Sequence, residues 1–514
     1  MLFNSYPFIL AFLPVTLALY LLTRRLADGR WVVLALLFAS IAFYGWWNWR
    51  FVPVLLGSVA ANYALGGRIM GADTDSARRG WLAFGVAVNL GVLFVFKYAV
   101  FAVTTLASAT GWPLHIGHVV LPIGISFYTF QQVAYLVDIY RGEAVTRDPL
   151  RFAFFVTFFP QLIAGPIVHH GELTPQLRNL SRRPFLTDLA VGLTIFTIGL
   201  AKKVLLADSF ALVASPVFDA AALGQAPGLL AAWAGAVAYA LQIYFDFSAY
   251  SDMAIGLGRM FGIVLPVNFA APYKARSIIE FWRRWHITLS RFLRNYLYIP
   301  LGGNRRGAAR RQVNIFVTML LGGLWHGAGW TFVLWGAVHG LLIVGNHLWR
   351  KCRLYRPLSP RVAWLLTMLC VVVAWVPFRA ADLATTGRVL AGLVGANGLA
   401  DSLGNGQAFN AFPTFALLLS APMPAVDWPP IAIAIVELTG LWLAATGPTT
   451  QALLRSFQPG LTSPGYETGI EPAPLYRVRL DWRPTAVAAA TLGVVFAACL
   501  LKLNDVSEFI YFQF

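Results

Sequence analysis

Long apolar stretches follow one another along almost the whole chain, and they limit its possible folds more than any other feature. The hydrocarbon core of a bilayer, about 30 Å thick, needs roughly 20 apolar residues per helical span. The 514 residues are 58% hydrophobic and only 12% charged, whereas water-soluble domains carry roughly 25% charged residues. The short alternating segments of a transmembrane β-barrel are missing from the sequence. The pattern therefore predicts an all-α polytopic membrane protein.

The net charge is +17, and Lys and Arg collect in short clusters between the apolar runs. Such clusters mark cytosolic loops under the positive-inside rule. We therefore interpret the excess of Lys and Arg as a mark of the cytosolic loops. No sequence motif indicates nucleic-acid binding. The first run, 5–22, has its arginines after it and no small-residue cleavage site, which predicts an uncleaved span with the N-terminus outside. The clusters include Arg24-Arg25, Arg78-Arg79, Lys202-Lys203, Arg283-Arg284, 305–311 and 350–356.

Charge alternation between the loops predicts roughly 11 to 13 membrane segments. The segment 152–168 is short and is interrupted by Pro160, Gly165 and Pro166, which indicates a re-entrant or broken helix. A Gly/Pro-rich stretch, 396–427, is expected outside the membrane. The other predicted segments are 5–22, 31–47, 51–67, 81–107, 119–137, 186–213, 228–262, 360–378, 428–447 and 485–502, together with the histidine stretch described below.

Residues 281–299 are predicted to form one amphipathic helix that lies in the membrane interface. At 100° per residue, its aromatic and aliphatic side chains share about a third of the circumference, and its arginines lie opposite. This arrangement is typical of interfacial helices, and Pro300 ends the helix. His286 lies at the edge of the apolar arc, where a solvated histidine is the simplest interpretation.

Residues 313–349 combine strong apolarity with three histidines, His326, His339 and His347. Arginine clusters flank this stretch on both sides, so both of its ends are predicted to lie in the cytosol. About 36 residues lie between the clusters, or roughly 54 Å of helix at 1.5 Å per residue. That length favours a helical hairpin with His326 near its turn, deep in the protein.

An imidazole at membrane depth needs hydrogen bonds or a function. For His339 and His347 we favour simple packing histidines. His326 lies in Trp-His-Gly-Ala-Gly-Trp, and there we favour a functional group, because a buried neutral imidazole can act as a general base. The three cysteines and the histidines lack metal-ligand spacing, so no metal site is predicted. Asp246 and Asp252 either link helices by hydrogen bonds or contact substrate.

Seven stretches resemble the membrane-bound O-acyltransferase family, and in particular its alginate O-acetyltransferase branch. They extend over most of the chain, and together they are highly specific. The stretches are LPIGISFYTFQQVAYLVDIYRG (121–142), FFPQLIAGPIV (158–168), YFDFSAYSDMAIGLGRMFGIVLPVNFAAPY (244–273), FWRRWHITLSRFLRNYLYIPLGGNR (281–305), GGLWHGAGWTFVLWGAVHG (322–340), VPFRAADL (376–383) and FIYFQF (509–514).

The resemblance implies one transmembrane domain over 1–514, a ring of tilted helices around a thin centre with a funnel on each side. It implies that His326 is the catalytic histidine and that His286 is the second histidine of this branch. Family members of this branch pass an acyl group across the bacterial inner membrane to periplasmic or membrane-anchored partner proteins that esterify a polysaccharide. We expect acetyl-CoA as the cytosolic donor substrate and no permanently bound cofactor. Candidates for the CoA phosphates are Lys274, Arg283, Arg284 and Arg305.

Three alternatives stay open at the level of sequence. A proton-coupled transporter could use the same histidines and aspartates as a relay. A non-catalytic scaffold could hold a polysaccharide-modifying complex together. Within the enzyme class, the acyl group could be other than acetyl, and the acceptor could be a cell-wall polymer.

Overall fold

The protein is described here from a computed structural model. The structure describes residues 1–26, 29–117, 119–143, 147–353, 356–399, 430–462, 481–503 and 509–510, with the backbone alone at 179, 181, 182 and 430–432. Over these ranges the regular structure is helical, and the one β feature is an isolated bridge between Pro266 and Leu461. The predicted all-α class is confirmed. The expected extramembrane segment 396–427 lies, from residue 400 onward, outside the described residues.

Seven helical stretches in the described part are long and apolar enough to cross a bilayer, which confirms the polytopic class. Two shorter apolar helices, Ile433–Thr446 and Ala486–Leu501, follow them. The number of actual crossings and the ring arrangement stay predictions. The seven stretches are Pro7–Arg24, Arg30–Met70, Asp75–Thr110, Phe185–Ala222, Leu229–Met260, Trp330–Trp349 and Pro360–Arg379.

The chain divides into two compact units. The first comprises Met1–Phe196, Ser251–Val267 and Pro459–Leu461, and the second comprises Thr197–Tyr250, Asn268–Gln458 and Thr462–Phe514. The expectation of one domain over 1–514 stays a prediction. Helices inside the first unit are Leu13–Arg24, Arg30–Asn48, Val52–Met70, Asp75–Leu93, Ala99–Thr110, Ile125–Tyr140, Pro149–Thr157, Phe159–Leu162 and His170–Leu173, with π-helical Pro7–Phe12 and Phe94–Tyr98 and 3₁₀ turns Trp49–Phe51 and Thr174–Arg182.

Two helices, Phe185–Ala201 and Leu229–Met260, begin in one unit and end in the other. The remaining helices belong to the second unit, which also contains π-helical segments at Lys202–Ala207 and Arg294–Tyr298 and 3₁₀ turns at Pro272–Lys274 and Arg455–Phe457. Its α-helices are Asp208–Ala222, Ile278–Arg284, Ile287–Leu293, Gly307–His326, Trp330–Trp349, Pro360–Arg379, Leu383–Leu393, Pro430–Thr446, Thr450–Leu453 and Ala486–Leu501.

Buried amides connect three helices of the first unit. Asn62 and Asn89 exchange side-chain hydrogen bonds, and Asn62 also donates to the side chain of Gln132. These residues belong to Val52–Met70, Asp75–Leu93 and Ile125–Tyr140, respectively. In a bilayer, interhelical hydrogen bonds of this kind contribute about 0.6–2 kcal/mol each. These hydrogen bonds determine which sides of the three helices contact one another.

The expected interruption near residues 152–168 is present. The helix Pro149–Thr157 ends at Phe158, whose ψ of 112° leaves the helical range, and the short helix Phe159–Leu162 follows. Proline at the second position of a helix costs no backbone hydrogen bond, because that N–H has no partner inside the helix. Pro160 therefore fits the start of the second helix. The helix is interrupted within the segment for which the sequence predicts an interruption.

The histidine stretch folds as a helical hairpin. Gly307–His326 and Trp330–Trp349 are each 20 residues long and are joined by three residues. They meet backbone to backbone, since a Cβ built on Gly323 would lie 2.9 Å from the Cα of Gly336. Small residues at such a crossing are typical of membrane helix pairs.

We expect Gly323→Ala to destabilise the protein. The added methyl group would press against Gly336 and against the carbonyl oxygen of Phe332, both backbone atoms, and overpacking of this kind costs about 1–3 kcal/mol. The readout is the melting temperature of the detergent-solubilised protein. The matched control is Gly345→Ala in the second hairpin helix, where nothing lies within 4 Å of the added atom; equal melting temperatures for the two variants would refute the close packing.

Candidate active site

His326 ends the first helix of the hairpin and is only 6% exposed. Aromatic rings enclose it, with centroids 5.0 Å away at Trp325, 5.1 Å at Trp335 and 5.3 Å at Phe378. All three rings stand steeply to the imidazole, with interplanar angles of 71°, 87° and 71°. The imidazole is therefore held among apolar faces within the second unit.

His286 lies beside His326, and their ring centroids are 6.3 Å apart. The two histidines are 40 positions apart in sequence, and the structure brings them together inside the second unit. The ring of His286 is fully buried, and Phe247 stands edge-on to it at 4.7 Å. The solvated interfacial histidine that the sequence suggests most simply is therefore wrong. The catalytic roles expected for both histidines stay predictions.

Asn268 fixes the protonation of His286. Its Oδ1 lies 3.1 Å from His286 Nδ1 and accepts hydrogen bonds from the backbone N–H and the hydroxyl of Thr288. A backbone N–H can only donate, so the atom facing it is the amide oxygen and not the amide nitrogen. The Nδ1 atom of His286 therefore carries the proton, and Nε2 is the basic nitrogen.

The backbone at His286 is strained. Its φ and ψ are 44° and 55°, the left-handed region, which costs a residue with a side chain about 1–3 kcal/mol. Residues of the neighbouring segment hold the turn: Ile287 N–H donates to the carbonyl of Asn268, and Ala270 N–H donates to the carbonyl of Arg284. Strain that is held in this way is typical of functional sites.

The expected continuous helix over 281–299 is therefore wrong. The structure has Ile278–Arg284, then a break at Trp285 and His286, then Ile287–Leu293 and a π-helical turn to Tyr298. The helix is interrupted because Asn268 and Ala270 form hydrogen bonds with backbone groups of this segment. A continuous helix would use the same groups for its own hydrogen bonds. Arg291, expected on the polar face, is buried.

His339 is fully buried one turn after Trp335. Trp282 donates its indole N–H to His339 Nδ1 at 3.3 Å, and Phe281 stacks on the imidazole at 6.2 Å with an interplanar angle of 8°. These contacts fit the packing histidine that the sequence favours. They also place His339 against Trp335, with ring centroids 4.8 Å apart.

The four cationic candidates for the CoA phosphates divide into two pairs. Lys274 donates to the carbonyl oxygens of Thr446 and Gly447, and Arg284 binds Glu280 and the carbonyl of Ala270. Burial and the nearby Arg284 lower the pKa of Lys274 to about 8. Both side chains thus have internal partners.

The other pair consists of Arg283 and Arg305, and both residues are exposed. Their side chains lie at the surface of the second unit and can reach an anionic ligand. The role of all four residues in donor binding stays a prediction.

Sequence reasoning missed a buried ion cluster in the second unit. Lys203, counted above among the cytosolic basic clusters, is 3% exposed and lies 2.8 Å from both Asp246 and Asp208. Asp246 also accepts a hydrogen bond from the backbone N–H of Ile510. Asp246 thus connects its own helix to Lys203 and to Ile510. These contacts agree with the interpretation that Asp246 links helices by hydrogen bonds. A lysine pair inside an apolar run, with Asp208 five positions after Lys203, was the available signal.

Phe378 is a second residue whose position was not anticipated. The stretch VPFRAADL (376–383) carries part of the family resemblance but no expected role. The ring centroid of Phe378 nevertheless lies 5.3 Å from that of His326 and 5.1 Å from that of Trp335. Pro377 precedes it near the end of the helix Pro360–Arg379. The motif therefore contributes one of the aromatic rings that surround His326.

Comparison with known proteins shows which family the chain belongs to. A model of the membrane-bound O-acyltransferase family matches residues 140–378. The chain is 41% identical to a probable alginate O-acetylase AlgI of Pseudomonas syringae pv. tomato, with 100% of both chains covered. It is 46% identical to a probable alginate O-acetylase AlgI of Pseudomonas aeruginosa over 76% of this chain and 74% of the relative. A peptidoglycan O-acetyltransferase of Helicobacter pylori is 42% identical over 78% of this chain and 81% of the relative.

The chain belongs to the membrane-bound O-acyltransferase family. It is an O-acyltransferase embedded in a lipid bilayer as a multi-pass protein, and both histidine motifs fall inside the region that the family model matches. Family membership favours the enzyme over a transporter or a non-catalytic scaffold.

We expect His286→Gln to flatten the acid dependence of stability. His286 lies outside the seven candidate spans, and burial lowers its pKa from 6.5 to about 3. The unfolded chain takes up a proton near pH 6.5 and the folded chain does not, so this residue makes the wild type lose stability as pH falls from about 6.5 towards 3. Melting temperatures at several pH values measure the slope. An unchanged slope in the variant would contradict the burial.

We expect Lys203→Met to destabilise strongly, because it leaves Asp246 as a buried carboxylate without its cation. Breaking a buried pair in this way costs about 3–5 kcal/mol. The double variant Lys203→Met, Asp246→Leu removes both charges and should recover part of the loss. Thermal unfolding of the purified proteins tests both. A single variant as stable as the wild type would show that the pair does not support the fold.

Proposed function

We propose that the protein transfers an acetyl group from cytosolic acetyl-CoA across the bacterial inner membrane for O-acetylation of an exopolysaccharide of the alginate type. The observation that carries this proposal is the pairing of His326 and His286, buried rings 6.3 Å apart in an aromatic enclosure. Two imidazoles in dry surroundings suit proton transfer during acyl transfer, because burial favours the neutral, basic form.

His326 acts as the general base. It removes the proton of an acceptor hydroxyl while the hydroxyl oxygen attacks the carbonyl carbon of the thioester. The tetrahedral intermediate then collapses, the C–S bond breaks, and the CoA thiolate leaves and takes up the proton that His326 accepted. General base catalysis contributes about 10²–10⁴-fold, and positioning of the two reactants supplies much of the rest.

His286 orients the reaction through its fixed tautomer. Asn268 holds the proton on Nδ1, which leaves Nε2 of His286 as a proton acceptor in the same enclosure as His326. This nitrogen accepts a hydrogen bond from the acceptor hydroxyl, or takes up a proton and then returns it. The strained backbone at His286 supports such a role, since the surrounding contacts keep the ring in one position.

Arg283 and Arg305 bind the phosphates of CoA. Both are exposed and cationic, whereas Lys274 and Arg284 have internal partners. Arginine suits this task because its planar guanidinium binds phosphate oxygens in pairs.

The polymer is inferred from the relatives. The chain covers the whole length of the probable alginate O-acetylase of Pseudomonas syringae, which favours an exopolysaccharide acceptor. Peptidoglycan is the second candidate, because the Helicobacter relative is named for it. The family resemblance further supports periplasmic or membrane-anchored acetyltransferase partners that receive the group.

We expect His326→Ala to abolish acetylation while the protein still reaches the membrane, because the base is lost and a small apolar residue replaces it in an aromatic enclosure. Cells lacking the gene are complemented with each variant, and O-acetyl esters are measured separately on exopolysaccharide and peptidoglycan. Membrane levels are compared by immunoblot.

The matched control is His347→Ala, in the last turn of the second hairpin helix, which should keep wild-type acetylation. Loss of esters on peptidoglycan alone would transfer the proposal to the second polymer. Normal ester content on both polymers in the His326→Ala strain, with the protein present, would refute the mechanism.

A further inference from the structure

The second hairpin helix contains a buried donor that the mechanism above does not use. Trp335 is 1% exposed, and its indole N–H has no hydrogen-bond acceptor among the described residues. An indole N–H can only donate, and a buried donor without an acceptor costs free energy. This N–H is therefore a candidate for a hydrogen bond to a bound ligand.

His339 supplies a second donor of the same kind. Its Nδ1 accepts the indole N–H of Trp282, so a neutral imidazole at this position carries its proton on Nε2. That Nε2 is buried and has no acceptor within the part of the chain that the structure describes. The hydrogen bond from Trp282 thus leaves His339 with a buried N–H at Nε2 that can donate to a ligand.

The two donors lie close together and next to the base. Residues 335 and 339 are four positions apart on Trp330–Trp349 and so share one face of that helix. Their rings are 4.8 Å apart, and the ring of Trp335 lies 5.1 Å from that of His326. The backbone contact at Gly336, directly after Trp335, holds this face in place.

The aromatic surroundings limit which acceptor can bind these donors. Phosphate and carboxylate carry full charges, and Trp335 and His339 are enclosed by the rings of Trp282, Phe281, Trp375 and Phe378 with no cation among those contacts. A neutral carbonyl oxygen has two lone pairs and a low desolvation cost, and it matches two N–H groups. The acyl donor of the proposed reaction carries such oxygens.

We propose that Trp335 and His339 donate hydrogen bonds to a carbonyl oxygen of the acyl donor. This inference rests on the proposed function. The oxygen belongs either to the thioester or to an amide of the pantetheine arm. A thioester oxygen gains negative charge in the tetrahedral intermediate, so the donors would then act as an oxyanion hole. An amide oxygen keeps its charge, so the donors would then hold the arm in the ground state.

The test compares Trp335→Phe, His339→Leu and His339→Gln. The first two remove one N–H each, whereas glutamine keeps an acceptor for Trp282 and an N–H group. Inverted membrane vesicles expose the cytosolic face, and transfer of labelled acetyl from acetyl-CoA to polymer is measured against acetyl-CoA concentration. Rates are normalised to the amount of protein. Trp233→Phe is the matched control, because its indole N–H donates to the carbonyl of Leu393.

A thioester contact predicts that kcat falls about 10²–10³-fold in Trp335→Phe with little change in KM. An amide contact predicts that KM for acetyl-CoA rises at least tenfold with little change in kcat. In both cases His339→Gln should recover part of what His339→Leu loses, and Trp233→Phe should match the wild type in both parameters.

Wild-type kcat and KM in Trp335→Phe and His339→Leu would overturn the proposal. Equal losses in Trp335→Phe and Trp233→Phe would overturn it as well, since they would reflect general loss of packing. The proposed function is judged separately by His326→Ala: if that variant is inactive while the two donor variants are normal, only the donor site fails.

Discussion

The close approach of two helices at Gly323 and Gly336 determines the geometry on which the site depends. Neither residue has a Cβ, so the helices meet backbone to backbone, and the side chains next to the crossing are brought together. His326 follows Gly323 by three residues and Trp335 directly precedes Gly336, so their rings lie 5.1 Å apart. Between helices in a bilayer, apolar burial gives little driving force, and dispersion contacts at small residues hold such a crossing together.

Asn268 supplies the second constraint. Its single side-chain oxygen fixes the tautomer of His286, caps the start of Ile287–Leu293 through Thr288 N–H, and binds the Thr288 hydroxyl. Its backbone carbonyl accepts from Ile287. These contacts offset the cost of the left-handed backbone at His286 and interrupt the helix there. The second histidine is thereby buried beside His326.

The specific motifs around His326 and His286 mark both residues as candidates, and their catalytic roles stay predictions. The class and the hairpin could be predicted from sequence, because a bilayer imposes strict rules on span length and charge. The break at His286 could not, since no glycine or proline marks it and its cause is a segment 18 residues away. Lys203 was misassigned because hydropathy treats every lysine as a loop residue, whereas Asp246, 43 positions later, neutralises this one. Phe378 depends in the same way on tertiary packing that no local pattern encodes.

The buried histidines show what an imidazole contributes at positions where a leucine would pack as well. Each ring has two different nitrogens, and a neighbour can decide which of them holds the proton: Asn268 does so for His286, and Trp282 does so for His339. The rings around them exclude water, and hydrogen bonds in such surroundings are stronger and more directional than in water. A leucine contributes volume alone, whereas a histidine with one nitrogen fixed contributes volume together with a donor or acceptor of known identity. The apolar hairpin is therefore a setting in which a few polar atoms have fixed donor or acceptor roles.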